Sequence, residues 1–534
     1  MHKQTQAQTK NHIFNVSAFI LVFASTVFWS SLYLNIHMDT DTGWLIQCLE
    51  RFISGGLYAT DFYETNPPLS FLIYLPGYSL HALDLINAKT SVLITFFFYM
   101  AIANLLALNL LKQLKLGHIE TLAFLSFLIL AQTWASNIAF GLKDHLIFIF
   151  VVPYCIYQIG LASAIEIKKR DTILTAILMA FALCLKPHYA ILPVLFLIYR
   201  LITKTSVRRT LLATDFIIIE LCILAFATYL FICFPNFIYK ILPDLQNIYI
   251  SEERFNVMDK AIFLALPILS LIAIYYVPDN KDNILIMRRL VVSFSIFSFI
   301  LFISFAIQGK GFEYQAIPFL GTTISIFLFS LFYVVQHYIR LPSISLAVIF
   351  LISIGLLYKI NIGKDKTLLT PEEFANIPYH QKLQEYAWNN IYASYEFFPL
   401  NLALPYHTDL KYGSRFGQVW PISGLSQKLE TQRLSTNEVK ETKEKMQSYI
   451  SMFAKDIEKY KPSVISIPQY YDPEKDGPSR KYIDFLLANP DFKLKMEDYD
   501  FVETVKFDKS QIVTAIKNEE DKYLSFDLYQ RKKD

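Results

Sequence analysis

Apolar runs separated by short polar loops fill the chain from Ile13 to about residue 360. A run of roughly 20 apolar residues is the length that crosses the hydrocarbon core of a bilayer as a helix. Spans are predicted at 13–34, 89–111, 119–136, 145–163, 171–186, 189–203, 210–234, 261–277, 290–307, 315–334 and 341–360, about eleven helices by the hydropathy criterion. From about Asn361 the pattern changes. The stretch "STNEVKETKEKMQSYISMFAKDIEKY" has charges at helical period and predicts a solvent-facing helix. "KPSVISIP" is a short β-branched run that predicts a buried strand, and "YLSFDLYQ" alternates like a second one. The predicted fold class is therefore a polytopic α-helical membrane protein, residues 1–360, followed by a soluble α/β domain, residues 361–534.

The first long interruption, 37–88, has a pattern of its own. In "TGWLIQCLERFISG" the residues Trp44, Leu45, Cys48, Leu49, Phe52 and Ile53 recur at helical spacing between Gln47, Glu50 and Arg51. That predicts an amphipathic helix lying in the headgroup plane. Gly55 and Gly56 end it, and Pro67–Pro68 open a second helix.

Charge placement orients the spans. Lys3 and Lys10, Lys112 and Lys115, "EIKKRD" at 166–171, "KTSVRR" at 204–209, "PDNKDNILIMRR" at 278–289 and Arg340 fall in one alternate set of loops. The positive-inside rule puts that set, with the N-terminus, in the cytoplasm. The 37–88 loop and the 361–534 domain then lie outside. The first run reads as an uncleaved anchor, too long for a signal h-region and without an A-x-A site.

Composition agrees with this picture. A mean hydropathy of +0.35 and 18% charged residues over 534 positions stand well below the roughly 25% charge of soluble domains. A dispersed net charge of +3 argues against nucleic acid as a partner. The five cysteines show no CxxC spacing and read as small hydrophobes.

The candidate chemistry gathers on the outer side. Asp39, Asp41, Asp61 and Glu64 stand among Trp44, Phe52, Tyr58, Phe62 and Tyr63, and ionised carboxylates at a low-dielectric boundary need partners or a task. Three later outer stretches add polar groups: "GLKDHLIFIFVVPY" with Asp144, "LKPHYAILP" with Lys186 and His188, and "QGKGFEYQAIP" with Lys310 and Tyr314. Each has a plain alternative. Asp144 is equally a carboxylate at a helix N-terminus, and the cations are equally interfacial side chains reaching for headgroups. A divalent cation is also open, with His37, Asp39, Asp41, Glu64, His145 and His188 as donors at no diagnostic spacing. Glu220 is an acid deep in an apolar run, a position that suggests either a proton or substrate path or a buried hydrogen bond. The aromatic segment "FFPLNLALPYHTDLKYGSRFGQVWPI" of the tail is either a connection or a cover over a cleft.

The order "DTGW…R…GG…Y…DFYETNPPL" after the first span, followed by those three stretches on one face, resembles integral-membrane glycosyltransferases of the GT-C superfamily. These include the lipid A aminoarabinose transferases and the protein O-mannosyltransferases. The resemblance implies a sugar donor on a polyprenyl-phosphate carrier, and a glycan, lipid or protein acceptor. It also implies an outer-face site in a bacterial inner membrane. It makes Asp41 the general base, by its interval to Arg51, with Asp39 as the alternative, since the family's common Asp-Glu pair is absent. Asp61 and Glu64 would position the acceptor or a metal. Lys186, His188 and Lys310 would hold carrier phosphate, and Asp144 would be a second functional acid. Apart from the resemblance, Tyr314 is one of several outer tyrosines that suit stacking on a sugar, and nothing in the sequence selects it. A transporter or flippase of lipid-linked glycans, or a non-catalytic envelope-assembly protein, are the rival readings.

Overall fold

The structure is a computed structural model that describes residues 2–136, 139–203, 206–248, 257–277, 284–309, 312–361, 369–395, 401–469, 482–508 and 523–533. Its first helices are α1 (His2–Asn35), α2 (Thr40–Ile53), α3 (Leu69–Leu72), α4 (Leu75–His81), α5 (Ala88–Gln113) and α6 (His118–Trp134). Next come α7 (Lys143–Ala162), α8 (Lys169–Leu185), α9 (Ile191–Ile202), α10 (Val207–Leu211), α11 (Thr214–Cys233) and α12 (Leu242–Asn247). They are followed by α13 (Ala265–Tyr275), α14 (Ile284–Gln308), α15 (Ile317–Ile339) and α16 (Pro342–Asn361). The tail adds α17 (Pro371–Ala375), α18 (Pro378–Tyr386), α19 (Trp420–Thr431), α20 (Thr436–Tyr460), α21 (Tyr482–Leu487) and α22 (Pro490–Met496).

The chain divides into two compact units, each assembled from separate stretches. The first comprises residues 1–34, 76–229 and 254–363. Every apolar run set out above coincides with a helix, and among the described residues seven are long and apolar enough to cross a membrane. The others are shorter: α6 and α8 have 17 residues each, and Pro187–Ile202 and Lys260–Tyr275 are shorter still. Burial separates a central helix from outer ones. α7 is buried continuously from Lys143 to Gly160, as a helix apolar on all sides must be when protein surrounds it. α11 is at least as apolar, yet only 11% of its apolar window is buried, with Leu224 and Ile232 63% and 74% exposed. An apolar surface of that extent needs lipid to cover it, so the protein is an integral membrane protein. Glu220 lies on the exposed surface of α11, away from the helical core.

The second unit comprises residues 35–75, 230–253 and 364–534, whereas the sequence suggests a domain that begins only at 361. Its centre is a five-stranded sheet of order β2-β1-β3-β5-β4. The strands are β1 (Ile391–Ser394), β2 (Lys411–Tyr412), β3 (Val464–Pro468), β4 (Tyr499–Asp508) and β5 (Tyr523–Arg531). β1 pairs in parallel with β2 and β3, while β5 runs antiparallel between β3 and β4. The "VISIP" run is β3, buried at all five positions. The charged helix is α20, opened by a Ser435–Glu438 capping box, in which each side chain satisfies an end N–H of the helix.

α2 forms where its amphipathic pattern predicts. Eight consecutive residues from Thr42 to Leu49 are nevertheless buried, so protein rather than headgroups covers the helix. The tail segment 401–417 supplies the cover. Gln47 donates to Leu402 O at 2.7 Å, and Tyr406 Oη donates to Glu50 Oε1 at 3.2 Å. A Cβ on Gly417 would fall 2.7 Å from the Trp44 ring, and one on Gly43 would fall 3.0 Å from the Ala403 Cα.

Candidate functional site

Two polar clusters contain the candidate residues that the structure describes, one in each unit. In the first unit, four helix ends converge: the start of α7, the end of α8, the end of α14, and the short turn Glu313–Ala316 before α15. Lys186 at the end of α8 donates to Asp144 Oδ1 at 2.7 Å and to Gln308 Oε1 at 3.0 Å. Tyr189 Oη reaches the same carboxylate oxygen at 3.4 Å. Asp144 is fully buried and Lys186 nearly so, so the pair has exchanged water for each other, and removing one partner would strand the other. Asp144 therefore serves an ion pair, beyond any capping of α7.

The cluster has donor and acceptor capacity left over. Asp144 Oδ2 and His188 Nε2 are buried without a hydrogen-bond partner. Two ammonium groups approach the Tyr314 ring, Lys186 Nζ 5.6 Å and Lys143 Nζ 6.0 Å from its centroid. Lys143 is a residue that sequence reasoning missed. Its only signal was adjacency to Asp144 in "LKDH". Asp144, Lys186, His188 and Tyr314 thus share one neighbourhood, whereas Lys310 lies outside the described residues. Two cations around one buried carboxylate suit an anion with several oxygens, such as a phosphate.

In the second unit, Asp39 and Asp41 stand at the start of α2. Asp39 is the N-cap, its Oδ1 accepting from Thr42 N at 3.0 Å and from Thr42 Oγ1 at 3.3 Å. Asp41 occupies the first turn, where the helix dipole favours a negative charge. Burial first, and then the Asp41 carboxylate, push the Asp39 carboxyl up from 3.8 to about 7, against the hydrogen bonds from Thr42. That places the Asp39 carboxyl near neutrality, where a general base works best. Behind them, Met38 N donates to His407 Nε2 at 3.0 Å, and the His37 ring stacks on Phe374 at 4.5 Å.

Arg51, Asp61 and Glu64 are engaged in holding the segment together. Arg51 donates to the backbone carbonyls of Asp61, Ser414 and Tyr412 at 2.9, 2.7 and 2.7 Å. Asp61 accepts from Leu57 N at 2.7 Å and pairs with Lys459. Partial burial raises its carboxyl, but the Lys459 ammonium and the Leu57 N–H outweigh it and hold the group below the ordinary carboxylate range. Glu64 is buried, with Trp44 Nε1 at 2.6 Å and Asn66 N at 2.7 Å. A second arginine mirrors the first: Arg415 bonds Asp456 through Nε at 2.7 Å and through its backbone N at 2.9 Å, and reaches Ala59 O at 3.2 Å. Nothing in the sequence distinguishes Arg415 from the other tail cations, because its partner lies 41 residues away in α20.

Among the described residues, no three His, Cys, Asp or Glu side chains come together as a metal site. His145 packs between the rings of Phe96 and Phe140, with centroids at 5.4 and 4.5 Å.

No protein-family model matches this chain, and no curated protein matches it. Among solved structures, it is similar to the archaeal oligosaccharyltransferase AglB from Archaeoglobus fulgidus, in complex with an inhibitory peptide and a dolichol-phosphate. The identity is 11% and the TM-score 0.38, over 91% of this chain and 73% of that one, a likeness too slight to carry an argument about activity.

Proposed function

We propose that this protein is a membrane glycosyltransferase of the GT-C type, moving a sugar from a polyprenyl-phosphate carrier to an envelope glycan, lipid or protein acceptor. The observation that carries the proposal is the Asp39–Asp41 pair at the start of α2, with Asp39 raised to about 7. In the proposed reaction Asp41 takes the acceptor hydroxyl's proton as its oxygen attacks the anomeric carbon. The bond from that carbon to the carrier phosphate breaks, and the phosphate leaves with the electron pair. Asp39 fixes the helix start and, with its own carboxyl raised to about 7, is the alternative base.

Taken by itself, the first-unit cluster suits a lipid-borne phosphate, with Lys143 and Lys186 stabilising its charge and His188 adding a ring nitrogen. Asp144 holds Lys186 in place, and Tyr314 offers a ring near both ammonium groups. Arg51, Asp61 and Glu64 enter the proposal as residues that position α2. The orientation follows the lysine and arginine loops: N-terminus in the cytoplasm, second unit outside, in a bacterial inner membrane. For the transporter reading, Glu220 would have to line an internal path, and its place on the exposed surface of α11 does not favour that.

Mass spectrometry of envelope glycans and lipids, with and without the gene, tests the class: one missing sugar is expected. Asp41→Asn should give the same loss at normal expression, and full transfer by both Asp39→Asn and Asp41→Asn would sink the mechanism. Lys143→Gln should lower kcat/KM for the donor about tenfold, as losing one charge-assisted contact does, with Tm nearly unchanged. An unchanged kcat/KM would remove Lys143 from the donor site.

A further inference from the structure

A second polar cavity lies in the first unit at the other end of the same helices. Asp144 opens α7 and Gln158 lies near its close, so by helix rise the two are about 21 Å apart along the axis. The cavity measures about 540 Å³ and is lined by Gln158, Lys169, Tyr199, Arg200, Arg209 and Asp215, among others. Those residues come from the end of α7, the start of α8, the end of α9, α10 and the start of α11. α7 and α8 reach the Asp144 cluster with their opposite ends.

Its charge is unbalanced toward the positive. Arg200 grips Asp215 with both terminal nitrogens, at 3.1 and 2.7 Å, and also donates to Gln158 Oε1 at 3.1 Å. That pair neutralises itself, leaving Lys169 and Arg209 on the lining with no carboxylate partner among the described residues. Gln158 Nε2 is the second observation. The residue is 3% exposed and lines the cavity, yet this N–H donor has no hydrogen-bond partner. A buried donor left unpaired costs free energy that an acceptor in the cavity would recover. The surroundings are greasy: Ile202, Val207 and Leu212 are 74%, 60% and 58% exposed on the adjoining helix ends. Large apolar side chains beside two cations and a buried amide match an amphiphile with an anionic head.

We propose that this cavity binds the phosphate group of a membrane lipid, with Lys169, Arg209 and the Gln158 amide on the phosphate and the acyl chains against the apolar rim. The site is separate from the donor-phosphate cluster and does not depend on the transferase reading.

The test uses the purified full chain in a neutral detergent, with a fluorescent short-chain phosphatidate as probe. Saturable binding is expected, weakened about tenfold in the Lys169→Gln/Arg209→Gln double variant. Lys143→Gln should leave it unchanged, which separates this cavity from the cluster at the opposite end. Lys169 and Arg209 are exposed, so the double variant should fold, and Gln158→Glu, which keeps an oxygen for Arg200 while removing the orphaned N–H donor, should also weaken the probe. Competition by unlabelled phosphatidate but not by glycerol 3-phosphate or diacylglycerol supports a lipid-borne phosphate. Equal competition by glycerol 3-phosphate keeps the phosphate site but assigns it to a soluble ester. Binding that the double variant leaves intact, or competition by diacylglycerol alone, overturns the proposal.

Discussion

Asp39 and Asp41 are two residues apart, yet the helix start gives them different duties. Asp39 accepts from Thr42 N as a cap, and Asp41 sits in the first turn, where the two charges repel. The Asp39 carboxyl is raised from 3.8 to about 7, so between those values the folded protein holds a proton that the unfolded chain has released. Stability from this group is therefore present at low pH and declines as pH rises through that window. Asp39→Asn removes the decline. Denaturant unfolding from pH 4 to 8 should show the variant gaining on the parent as pH rises, and a difference independent of pH would refute the raised carboxyl.

At the scale of elements, α2 is the instructive case. Its existence was legible from Trp44, Leu45, Cys48, Leu49 and Phe52 at helical spacing. Its environment was not, because an apolar stripe has the same period whether it meets lipid or protein. What buries the stripe is the 401–417 segment, more than 350 residues on, joined by Gln47 to Leu402 O and by Arg51 to Ser414 O and Tyr412 O. These are side chain to backbone bonds, and a carbonyl leaves no mark on a sequence. Gly417 tests the packing. A methyl there would fall 2.7 Å from the Trp44 ring, closer than carbon atoms tolerate, and Trp44 is pinned by Glu64. Gly417→Ala should cost about 1–3 kcal/mol, the usual range for overpacking. Thermal unfolding would measure it. An unchanged Tm would mean that the Trp44 ring has room to move.

Across the whole molecule, the helices of the first unit were readable because lipid imposes one rule on every span, about 20 apolar residues. The second unit obeys no such rule. It draws 35–75 and 230–253 together with the tail from 364, and no local pattern announces that a loop between two spans belongs with a distant sheet. The Asp244 carboxylate illustrates it: Tyr449 of α20 bonds it at 2.5 Å, and Tyr63 and Lys445 bond it too, three partners from two stretches of chain converging on a third. If the tail is what buries α2, a chain ending at residue 363 should leave α2 open while α7 stays packed. Cys48 and Cys155 report the two outcomes separately, since both are fully buried, one in α2 and the other in α7. In the full chain neither thiol should react with a maleimide, and burial, which also raises the Cys48 thiol above its ordinary range, reinforces the protection there. In the truncated chain Cys48 should label rapidly and Cys155 should stay protected. Labelling of both would mean that the helical unit itself needs the tail. Protection of both would mean that α2 is buried by something other than the 401–417 segment, and the account of how this loop is held would have to be abandoned.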